Sequence, residues 1–95
     1  MDDTFVTEMF EDYQLPPYLS ENVVKRACDE CMARLSSLNP SADFENDSQS
    51  RMLLKNAVYY MINHRYEEFE SNYADVILSW QLGAVSNITS EDSTS

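Results

Sequence analysis

"QSRMLLKNAVYYMINHRYEEFESNYADVILSWQL", residues 49–82, contains neither glycine nor proline. Whether it runs as one rod or folds back on itself decides the shape of the whole chain. Leu54, Val58, Met61, Ile62, Arg65, Tyr66, Phe69, Tyr73, Val76, Ile77 and Trp80 keep a helical period through it. Tyr59 and Tyr60 widen the apolar surface beyond what one partner helix covers. Such a helix is either central to its domain or holds part of its surface for a neighbouring subunit.

Charge placement bears on the same question. Arg51, Lys55 and Arg65 lie in the first half, and Glu67, Glu68, Glu70 and Asp75 follow as a block. A helix ending near residue 70 would put three carboxylates on its negative end, at about 0.3–1 kcal/mol each when exposed. The reading that follows is a continuous helix, or one bent gently near residues 67–72, with Glu67, Glu68 and Glu70 on a solvated face.

Upstream, Ser20 caps a helix reaching Leu38, in which Val24, Cys28, Cys31, Leu35 and Leu38 recur at three- and four-residue spacing. Glu21 with Lys25 and Glu30 with Arg34 form favourably oriented pairs worth about 0.2–0.5 kcal/mol each, so burial of the stripe supplies most of the stability. A shorter helix over about residues 3–13 carries Phe5, Val6, Met9, Phe10 and Tyr13 on one side, with Asp2, Asp3 and Glu8 near its positive end. "LPPYLS", residues 15–20, reads as a stiff turn; its Pro-Pro-Tyr lacks the intervening residue of a WW-domain ligand. "NPSADFENDSQS", residues 39–50, is a polar loop with Phe44 as its anchor and Asp47 or Ser48 as the next cap. The expected fold is all-α: a small bundle of three to four helices with a long C-terminal helix over residues 1–83, then a flexible polar tail over residues 84–95.

With 95 residues, 43% of them hydrophobic, the chain is too apolar for wholesale disorder despite a net charge of -11. A domain this small buries only about 60–65% of the surface its unfolded form exposes, which makes it marginal on its own. Six basic residues against seventeen acidic ones argue against binding nucleic acid through phosphates, where Lys and Arg must displace counterions. The acidity either keeps the chain soluble or keeps passing DNA from sticking.

Candidate chemistry is thin. Cys28 and Cys31 form a Cys-x-x-Cys at helical spacing, with one histidine in the chain and no third cysteine, so they read as small buried thiols in a reducing compartment. His64 and Glu68 stand four residues apart, two ligands where catalytic zinc takes three. Gly83 is the one glycine, which leaves no phosphate loop, and no serine or cysteine sits in a nucleophile motif. No enzyme, cofactor or metal site is expected. The opening "MDDTFVTEMF" is acidic where a signal peptide is basic, and no apolar run approaches the roughly 20 residues that span a bilayer. Asn46-Asp47-Ser48 and Asn87-Ile88-Thr89 fit the glycosylation pattern, which is idle without secretion. The expected location is a cytoplasm until a partner is met.

The order of features, a short first helix, then "SENVVKRACDECMARL", an acidic polar loop, "RMLLKNAVYYMINHRYEEF" and "YADVILSWQLGAV", resembles the small head-tail connector (adaptor) proteins of tailed bacteriophages. The resemblance spans about residues 3–85 and lies in architecture and loose pattern. It implies a homo-oligomeric ring, typically about twelve copies, docked beneath the portal of a filled capsid. Such a ring extends the DNA channel and carries the next neck or tail-completion protein, with neither catalysis nor a cofactor. The implied location is the virion neck, and the host cytoplasm before assembly. DNA passes nearby without specific binding, and no membrane is involved. On this reading Tyr73, Ile77 and Trp80 are candidate interface residues, Val85 and Ile88 candidate anchors of the tail on the portal, and Glu67, Glu68 and Glu70 candidate channel-facing acids. The unbroken final helix departs from members with a proline-marked break before it. Two other classes fit the composition: a small acidic inhibitor that mimics DNA, as anti-restriction or anti-CRISPR proteins do, and a generic helical interaction module.

Overall fold

The structure, a computed structural model, describes the backbone of residues 3–93 and the side chains of residues 4–83. Among these residues the chain is all-α, with α1 (Asp3–Asp12), α2 (Glu21–Leu38), α3 (Ser48–Ile62), α4 (Tyr66–Asn72) and α5 (Ala74–Ser93) in order. The first three follow the sequence signals closely. Ser20 caps α2 by accepting from the Asn22 amide, and Asp47 caps α3 by accepting from the Ser50 amide. Phe44 is buried, as the apolar anchor of a polar loop should be.

The stretch 49–82 is where expectation and structure part. It is neither one helix nor a gentle bend near 67–72, but three helices separated at residues 63–65 and at Tyr73. The first break has an identifiable cause. His64 takes the left-handed conformation at φ 59°, the Arg65 amide reaches back to the Tyr60 carbonyl at 2.8 Å, and the His64 amide reaches Met61 at 3.0 Å. These paired bonds form the Schellman stop, a turn that usually places glycine where His64 stands. The Asn63 side chain donates to the Tyr59 carbonyl at 2.8 Å, so three carbonyls that a helix end would orphan are satisfied. α1 ends in the same way, with Gln14 at φ 50° and the Leu15 amide on the Phe10 carbonyl at 3.1 Å. The charge argument holds in kind, since Glu67 and Glu68 lie in the first turn of α4, where the dipole favours them.

The breaks return the second half of the stretch to the core. α2 packs most extensively against α3, and α4 and α5 fold back along α3. Phe5, Val6 and Met9 of α1, Val24, Cys28, Cys31 and Leu35 of α2, Leu53, Leu54, Ala57 and Val58 of α3, Phe69, Ile77 and Trp80 form one continuous buried cluster. Around it runs a belt of rings. Tyr13 stacks on Tyr59 at 4.8 Å between centroids, Tyr60 meets Phe69 and Tyr73, and Tyr73 stacks on Phe69 at 4.9 Å.

Charge fixes α1 on α3. Glu8 pairs with Arg51 at 3.1 Å and Lys55 at 2.6 Å, Asp12 pairs with Lys55 at 2.8 Å, and the Arg51 guanidinium also lies over the Phe5 ring at 5.0 Å. Hydrogen bonds from Lys55 and then Arg51 hold the Glu8 carboxyl below the usual glutamate value. Burial pulls the Lys55 ammonium down, but its bonds to Asp12 and Glu8 outweigh that and leave it raised.

Two measurements test these devices. Replacing His64 by glycine relieves the left-handed strain and is expected to stabilise the fold by about 0.5–1 kcal/mol, read as a melting temperature a few degrees higher. A neutral or lowered value would mean that the stop does not depend on this residue. Because the folded Glu8 carboxyl lies below its ordinary value of 4.5, its contribution is present above that pH and lost as pH falls through the folded value. Glu8→Gln should therefore be less stable than wild type at neutral pH, with the gap closing in acid; parallel melting curves at all pH values would contradict the clamp.

Candidate functional site

The α3–α4 junction brings a group of chemical side chains together. Arg34 from α2 and Met61, His64, Arg65, Tyr66, Glu67, Glu68 and Glu70 line a surface depression of about 510 Å³. Its two guanidinium groups are already engaged. Arg65 grips Glu68 through both oxygens at 2.6 and 2.7 Å, while Arg34 bonds Glu30 at 2.8 Å and covers the Tyr66 ring at 4.8 Å. The Arg65 hydrogen bonds hold the Glu68 carboxyl below its usual range and raise Arg65 in turn. Burial pushes the Tyr66 phenol up to about 12. Opposed acid and base roles need carboxylates whose environments drive their affinities for protons apart, as a closed cleft does. These carboxylates are exposed on an open face. Among the described residues, no three His, Cys, Asp or Glu side chains converge to hold a metal ion.

The two thiols sit elsewhere in the structure's logic. Cys28 and Cys31 are free and fully buried on the core face of α2. Burial pushes them up to about 11 and about 12, which keeps both protonated and unreactive at neutral pH. The Cys31 thiol meets the Met61 sulfur at 3.7 Å, a packing contact between α2 and α3.

Of the candidate interface residues, Ile77 and Trp80 are buried in the chain's own core. The Trp80 indole donates to the Ser50 hydroxyl at 2.8 Å, and that hydroxyl donates to the Asp47 carboxylate at 2.6 Å. The cap of α3 thus also holds α5. The reason is the fold-back: once α5 lies along α3, its apolar stripe meets the core. Tyr73 is half-buried against Phe69 and Tyr60. Val85 and Ile88 lie outside the residues whose side chains are described. Glu67, Glu68 and Glu70 are all exposed.

What the sequence reading passed over is the opposite face of α5. Leu78 and Leu82, one turn apart, are 54% and 53% exposed, and Leu38 at the end of α2 is 45% exposed. The Gln81 side chain donates to the Leu38 carbonyl at 3.1 Å, which brings the end of α2 alongside this part of α5. A signal was present, since "VILSWQL" is apolar on both sides of a helix. Only one of those sides fits the core.

Comparison with protein-family models, with curated proteins and with solved structures finds no match to this chain. Trp80→Ala is expected to cost about 3–5 kcal/mol of stability, as deletion of a buried aromatic does, measured by denaturant unfolding. A variant of normal stability that fails to assemble would return Trp80 to the interface.

Proposed function

We propose that the chain is a non-catalytic assembly subunit, and specifically a head-tail connector of a tailed bacteriophage. Copies form a ring beneath the portal, extend the DNA channel and carry the next neck or tail-completion protein. The observation that carries the assembly reading is the exposure of Leu78 and Leu82 on α5, and of Leu38 at the end of α2, on a chain with little core to spare; the ring is what the resemblance adds. A small domain that leaves three leucines in water gains stability when a neighbour covers them. The charge of -11 and the exposed Glu67, Glu68 and Glu70 suit a wall past which DNA slides without adhering. The resemblance in helix order adds the identity of the assembly. The site of action is the virion neck, reached from the host cytoplasm.

Sedimentation of the purified chain, alone and mixed with portal particles, tests the reading. Ring formation or co-sedimentation with the portal is the expected result. A chain that stays monomeric and ignores the portal would overturn it, and strongly salt-dependent binding to a basic nuclease would favour the DNA-mimic class instead.

A further inference from the structure

The outer face of α5 has a composition that narrows its partner. Asp75, Leu78 and Leu82 follow at three- and four-residue spacing and are all exposed, which sets them in one row with an acid at its start. Glu67 and Glu70 are exposed on the α4 helix just before it. Cations are few in the chain. Of the six in the chain, Arg34, Arg51, Lys55 and Arg65 are held by Glu30, Glu8, Asp12 and Glu68 of the same chain. A second copy pairing through this same face would set its own Asp75 against this one's. Like-charge juxtaposition across an interface opposes such pairing.

We infer that the Asp75, Leu78, Leu82 face, with Leu38 beside it, docks a different protein whose contact surface is apolar at its centre and basic at its rim. Leucines at i and i+4 enter an apolar groove as a helix anchor does, and the flanking acids meet Lys or Arg on the partner. Steering by the acidic surface speeds encounter, and the leucines hold the complex. This rests on the assembly reading and deepens it: the connector's heterologous neighbour, rather than its sister copy, sits on this face. Copies then meet one another elsewhere.

The test uses the full chain and a synthetic amphipathic helix with one leucine stripe rimmed by lysines, followed by NMR and calorimetry at about 0.05 and about 0.5 M salt, where screening lengths differ roughly threefold. The expected result is saturable binding with amide shifts centred on Leu78 and Leu82, at least tenfold weaker at high salt and at least tenfold weaker in the Leu78→Ser/Leu82→Ser variant. Both leucines are more than half exposed, so that variant should stay folded and melt only modestly below wild type, the cost of serine's lower helix propensity and of the partial burial lost. Asp75→Lys gives an independent arm that leaves the leucines in place, and it should weaken binding and flatten the salt dependence. Shifts centred elsewhere, undiminished binding by the leucine variant, or no binding of this probe would overturn the inference. So would self-association through this face that strengthens with salt, since the occupant would then be a second copy. Loss of portal binding in the sedimentation experiment while the helix still binds would overturn the connector reading alone. Portal binding that leaves this face unperturbed would overturn the inference alone.

Discussion

Thirty residues separate Ser50 from Trp80, and their side chains meet at 2.8 Å. In a continuous helix they would stand about 45 Å apart. The left-handed turn at His64 makes the difference, and everything that follows along the chain depends on it. Because α3 stops there, α4 can begin with its acids at the favourable end, Phe69 can enter the core, and α5 can return to α3. The Asp47, Ser50 and Trp80 chain of hydrogen bonds then ties the returning helix to the cap of the helix it left.

Much of the first half was legible in the sequence because its signals are local. Ser20 and Asp47 are capping residues in capping positions, and the stripe of α2 is regular enough to name Val24, Cys28, Cys31 and Leu35 as core, though its last member, Leu38, lies exposed at the helix end. Phe44 stood out as the one large apolar side chain in a polar loop. The second half was misread because its punctuation uses no glycine. Histidine holds the left-handed position that ends α3, and an apolar period alone does not distinguish a straight helix from one that stops and resumes nearly in phase. Misreading the break moved the candidate site with it. Ile77 and Trp80 look available for a neighbour only if α5 continues away from the core.

The fold-back also explains why the opening stretch around His64 is not chemically poised. Its cations are spent on local carboxylates, Arg65 on Glu68 and Arg34 on Glu30, and its thiol neighbour Cys31 is shut in the core. Seating Trp80 inward turns Leu78 and Leu82 outward, since residues two apart on a helix face away from each other. The exposed leucine face is therefore a geometric consequence of the core.

The most direct test is a distance. Spin labels at the exposed positions Gln49 and Ser79, measured by pulsed electron paramagnetic resonance, report whether α5 lies along α3. The account predicts a single distance well below about 30 Å. A distribution centred near or above about 45 Å, the span of a continuous helix over that interval, would contradict it.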